Sequence, residues 1–186
     1  MHETSSSQPS ARPTAPAGPT GPLGPAGDLS AEVDLGSWAR FTPSLAAFLD
    51  GPARPGGRGA GLTVLLTAPA PVVAAEQAAP SRPLPGLRRL RRRREPSPEV
   101  PGVVLARHAE DVEVLVPVLD ARGRVLLGGP QTGLLEALGW RRGEADLMRR
   151  RLPGGAEAAD AVTRVLIEVL GVAHPADLDW LIDAQP

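Results

Sequence analysis

The chain has 186 residues, including 21 Gly and 22 Pro, and no Cys, Lys, Tyr or Asn, so all 20 basic side chains are Arg. The absence of Cys excludes a disulfide framework, a thiolate zinc site and a Cys nucleophile, and His2, His108 and His174 are too few and too scattered for a His metal cluster. The net charge of −1 is a cancellation: residues 82–94 hold seven Arg and no acid, while the other 173 residues hold 13 Arg against 21 acids, a net of −8.

In chain order, residues 1–28 place Pro at every third position from 13 to 25, with Gly in the same phase. That is the repeat of polyproline II, and the expectation is a solvated, semi-stiff tail. The Gly-Pro-x triplets are too few for a collagen-like helix. The N-terminus lacks the apolar core of a secretory signal. No run reaches the about 18 apolar residues of a membrane-spanning helix, so the expected location is the cytoplasm. The domain reading is a tail over 1–30 and one domain over 31–186, interrupted by a Pro/Arg-rich insert at 68–100.

Leu35, Trp38, Phe41, Leu45 and Phe48/Leu49 recur at three- and four-residue steps, which predicts a helix over 33–50 with Asp34 as its N-cap. Pro43 should kink this helix or restart it at Thr42, and Asp50-Gly51 should stop it. Gly61–Thr67 reads as a short buried strand. Residues 68–100 lose all periodicity and read as disordered, with a short basic helix over 86–94 as a further option.

Val103–His108 and Val112–Leu119 predict a hairpin across Ala109–Asp111. Asp120–Arg124 is a second tight turn with Gly123 suited to positive φ, and Val125–Leu127 should supply a third strand. Pro117 suggests an edge or a bulge. Gln131–Leu138 is a short helix ended by Gly139, and Trp140–Pro153 is polar, a strand or a loop. Ala156–Leu170 is the clearest helix, with Val162, Val165, Leu166, Val169 and Leu170 on its buried stripe and Gly171 at its end. Pro175 should begin a last turn or short helix carrying Leu178, Trp180, Leu181 and Ile182. The sum is an α+β fold, an antiparallel meander with helices packed on one face.

Catalytic signals fail one by one, and the expectation is that the protein is not an enzyme and holds no metal or cofactor. Leu152-Pro153-Gly154-Gly155 followed by Arg164–Val172 echoes a Nudix box. That chemistry needs several carboxylates on one helix face to hold divalent cations, and Arg164-Val-Leu-Ile-Glu168-Val169 supplies only Glu168. No Ser occurs after Ser97, Thr132 and Thr163 have no His near them in sequence, His108 lies at a turn, and His174 precedes Pro175 as a helix-end cap. The strongest electrostatic feature is the Arg run, in which Arg88, Arg89, Arg91, Arg92, Arg93 and Arg94 could dock on nucleic acid or an anionic surface. No aromatic platform accompanies it, which disfavours stacking on single strands.

Three stretches carry a family resemblance: Thr132-Gly-Leu-Leu-Glu-Ala-Leu138-Gly139-Trp140, the helix Ala156–Leu170, and its exit Gly171-Val-Ala-His-Pro175-Ala-Asp-Leu178. With Trp38 and Phe41 opening the first helix, they resemble actinobacterial members of the TY-Chap group, the domains similar to type III secretion chaperones and YbjN-like proteins. The resemblance spans about 33–67 and 101–182. It implies a secretion-chaperone-like α+β domain, helices on one face of a twisted antiparallel sheet, that holds a protein or peptide client on its sheet, alone or as a homodimer. The partner-binding candidates are Trp140 and, outside the span of the resemblance, Arg88, Arg89, Arg91, Arg92, Arg93 and Arg94, which carry the alternative reading of electrostatic binding to nucleic acid or an anionic surface.

Overall fold

The computed structural model describes residues 29–51, 61–72, 95–109 and 111–184. Six antiparallel strands form one sheet: β1 (Leu62–Thr67), β2 (Gly102–Arg107), β3 (Val112–Pro117), β4 (Arg141–Arg142), β5 (Leu147–Leu152) and β6 (Asp179–Ala184), in the order β4-β5-β3-β2-β1-β6. Among the described residues three α-helices accompany it, α1 (Trp38–Asp50), α2 (Gly129–Ala137) and α3 (Gly155–Arg164), the last running on into a π turn over Val165–Val169. The α+β architecture with helices packed on the sheet is therefore as the sequence predicts.

The core lies between the helices and one face of the sheet. Val64 and Leu66 of β1, Val103 and Leu105 of β2, Val112, Val114 and Val116 of β3 and Met148 and Leu152 of β5 are buried, and their alternation is the period of a sheet with one covered face. Phe41, Leu45 and Leu49 of α1 meet them from above, with Ala158, Val162, Val165 and Leu166 of α3 and its extension. The two helices approach closely at Gly155. A Cβ there would stand 2.7 Å from the Ala46 carbonyl oxygen, and the Gly155 amide donates to Asp50 Oδ1 at 2.7 Å, so one helix end caps the other.

Several local expectations change. α1 begins at Trp38, after Ser37, rather than at 33–34. Asp34 instead accepts from the Gly36 amide at 2.7 Å, within an entry segment that buries Leu29 and Val33. Leu29, inside the expected tail, thus belongs to the folded body. Pro43 does not restart α1 at Thr42, since one helix runs through it to Asp50, where it stops at Gly51 as expected. Both ends of the expected insert at 68–100 join the folded body. Pro96 bridges Val125, the Ser97 amide donates to the Val125 carbonyl, and the Ala68 amide donates to the Pro101 carbonyl. The central part of the insert, with the option of a basic helix at 86–94, lies outside the described residues.

The β2–β3 hairpin forms as read, but Val125–Leu127 is no strand. Val125 makes only single bridges, and the third strand beside β3 is β5. Pro117 consequently sits at the end of an internal strand, opposite Leu147. Gly123, Gly139 and Gly171 take φ of +75°, +85° and +68°, as their turn and helix-end positions require. The last segment differs most: after one 3-10 turn (Pro175–Asp177), Trp180, Leu181 and Ile182 lie in β6, which pairs with β1 along its whole length. His174 caps the start of that 3-10 turn rather than the end of α3. Its Nδ1 accepts from the Ala176 amide at 3.2 Å, which leaves Nε2 to donate to the Gly36 carbonyl at 3.1 Å.

Candidate binding face

The register of the sheet brings together a set of side chains that the linear sequence keeps apart. On the face away from the helices, Leu181 lies beside Leu65, Leu65 beside Val104, Val104 beside Leu115, Leu115 beside Arg149, and Arg149 beside Arg141. This is one row across all six strands. With about 4.8 Å between strands it spans about 24 Å. Leu181 is 51% exposed, and Leu65, Val104 and Leu115 are half-buried where the matching positions on the other face are fully covered. A second row runs Asp183, Thr63, Ala106, Glu113, Arg151 beside it. The face is thus acidic at the β6 end, apolar in the middle and cationic at the β4–β5 end.

The cationic end surrounds a surface pocket of about 650 Å³ lined by Glu113, Gly139, Arg141, Arg149, Arg150 and Arg151. The four guanidinium groups are held differently. Arg150 Nη1 donates to the Leu138 carbonyl at 2.9 Å, at the C-terminal end of α2, where a cation suits the helix dipole. Arg151 faces Glu113 at 3.6 Å and Asp111 at 3.8 Å, and His108 Nε2 lies 3.7 Å from the other Glu113 oxygen. Arg149 lies across Gly143, where a Cβ would meet its Cδ at 3.1 Å. Among the described residues no carboxylate pairs with Arg141 or Arg149. The two stand directly opposite each other in the ladder, a placement that destabilises like charges.

The β4–β5 connection adds strain. Ala145 and Asp146 both adopt left-handed backbone, φ 56° and 55°, with no glycine to relax either position. Sequence reading had little hold on this region, because three consecutive Arg in β5 mask the alternation of a half-buried strand. The signal that could have found it is Gly143-Glu144 between Arg142 and Leu147, a turn composition joining two strands.

The partner-binding candidates fare unevenly. Arg88, Arg89, Arg91, Arg92, Arg93 and Arg94 lie outside the described residues. Trp140 is 3% exposed, in the core and behind the Schellman-type turn in which its amide donates to the Leu135 carbonyl, so its ring offers no surface to a partner. Its position after a capping glycine commits it to packing.

The residues of the catalytic motifs weighed in the sequence are not brought together among the described residues. Thr163 meets Thr42 at 2.9 Å rather than a His, and Glu168 pairs with Arg164 at 2.8 Å on the exposed side of its helix. That guanidinium holds the Glu168 carboxyl below its ordinary value. No group of three or more potential metal ligands occurs among the described residues, and no helix there is long and apolar enough to cross a membrane. Comparison of the chain with protein-family models, with curated proteins and with solved structures finds no match.

Proposed function

We propose that the protein is a non-enzymatic, chaperone-like binding domain that holds a segment of a client protein on the open face of its sheet. The observation that carries this reading is the apolar row Leu181–Leu65–Val104–Leu115, which lies on the face opposite the core and which no described helix covers. An apolar strip framed by polar rows excludes water from an extended chain laid over it, while the strand edges can add main-chain hydrogen bonds. The resemblance to the TY-Chap group supports the same reading, as does the failure of each catalytic motif when its residues are weighed singly.

The test is a holding assay. A chemically unfolded model client is diluted into buffer with the full chain, and its aggregation is followed by light scattering. Wild type and a variant lacking residues 1–28 should both suppress scattering, while V104S/L115S, which removes apolar surface without touching the core, should lose most of the effect. Equal suppression by V104S/L115S would remove the face from the reading, and no suppression by wild type would defeat the reading altogether.

A further inference from the structure

We infer that the client segment is acidic as well as apolar, its apolar side chains lying over Leu65, Val104 and Leu115 and its carboxylates meeting Arg141 and Arg149. The inference rests on the reading of the open face as a client site and adds the chemistry that chooses the client.

Three observations carry it. The apolar row does not end in solvent but continues, in register, into Arg149 and Arg141. Those two arginines repel each other across the ladder and have no acidic partner among the described residues, so a carboxylate between them relieves a repulsion already present in the free protein. Gly143 leaves the room in which Arg149 lies flat, and Glu113 faces the neighbouring Arg151 at 3.6 Å on the same side of the sheet, while Arg150, opposite Val114, belongs to the helix side, so the site is partly shaped before anything binds.

Charge also selects among occupants. A continuous polyanion such as nucleic acid laid along this row would carry its phosphates over apolar side chains and on toward Asp179 at the β6 end, and no aromatic ring among the described residues stands on this face to stack a base. The undescribed parts of the chain are a poor source for the ligand: residues 1–28 contain only Glu3 and Asp28 as acids, 52–60 contain none, 73–94 carry seven Arg against Glu76 alone, and Glu110 stands singly between β2 and β3. The row of about 24 Å matches about seven residues of extended chain.

The experiment is panning of a randomised peptide library on the immobilised full chain, followed by fluorescence anisotropy of an enriched peptide. Peptides combining apolar residues with two or more carboxylates should be enriched. Their affinity should fall about tenfold or more in R141Q/R149Q and weaken steeply with salt. The same double variant should melt at or above the wild-type temperature, because it removes a repulsion, and this separates lost binding from lost folding. Enrichment of peptides without an acidic bias, or unchanged binding by R141Q/R149Q, would overturn the inference and leave the client face standing. No enrichment on wild type would overturn both. Tripolyphosphate binding as tightly as the peptide and unaffected by V104S/L115S would show an anion site instead. A dimer that R141Q/R149Q splits in size-exclusion chromatography with light scattering would make a second copy the occupant. Either result overturns the inference.

Discussion

Asp120 shows how much one residue can carry in a segment that sequence reading treats as a simple turn. Burial would raise its pKa, but the Ser97 hydroxyl at 2.6 Å, the Arg124 and Arg122 amides and the Arg124 guanidinium together hold it well below the usual carboxylate range. It thereby pins the returning end of the insert to the 120–124 turn. Because its native pKa lies below that of the unfolded chain, its stabilising contribution is complete above about pH 4 and fades as pH falls toward the native value. Asp120→Asn should therefore lower the urea midpoint at neutral pH, and the deficit should shrink when the measurement is repeated near pH 3. At Ala145, replacing a left-handed L residue by glycine should raise stability by about 0.5–1 kcal/mol, the relief of strain less the extra chain entropy of Gly. A lower urea midpoint for A145G would contradict the strain. Gly155→Ala places a Cβ 2.7 Å from the Ala46 carbonyl oxygen and should cost about 1–3 kcal/mol, read as a drop in melting temperature.

At the scale of elements, α1 tolerates what its sequence argues against. Pro43 lacks the amide that would bond the Ala39 carbonyl, yet the helix continues, because Phe41, Leu45 and Leu49 are buried on one stripe and Pro43 faces solvent. Thr42 Oγ1 and Ser44 Oγ donate back to Trp38 and Arg40 carbonyls beside the gap. Pro43→Ala should restore the missing bond and stabilise the protein by about 1–2 kcal/mol, after allowing for the greater entropy of the unfolded chain; thermal unfolding checks the sign. The helix after Gly155 was legible from its buried stripe and from Gly171, while its widening to a π turn, in which the Leu170 amide reaches the Val165 carbonyl, was not. β6 was misread because Leu178, Leu181 and Ile182 are spaced as a helical turn spaces them. The unpaired edge of β1 settles the matter, since pairing there satisfies a whole row of backbone groups.

At the scale of the molecule the charges are segregated. The seven Arg of 82–94 belong to a segment outside the described residues, whereas Arg141, Arg149, Arg150 and Arg151 form a second cationic centre on the sheet itself. Replacing all seven Arg of 82–94 by Gln moves the net charge from −1 to −8. It should leave the melting temperature and peptide binding near wild type, while any affinity for nucleic acid, measured against salt, should vanish. If peptide binding were lost as well, the two centres would act together.

The sequence by itself determined the strands β1, β2 and β3, the three helices and the glycine stops, because each rests on local rules: apolar period, turn chemistry and positive φ. It also localised the excess Pro and the cancelling charge to a tail and an insert. What only the tertiary structure decided is the neighbourhood of each strand. Leu65, Val104, Leu115, Arg149 and Leu181 are distant in the chain and become one surface through register. Register is set by which faces can be buried together, and that is a property of the whole sheet rather than of any segment in it.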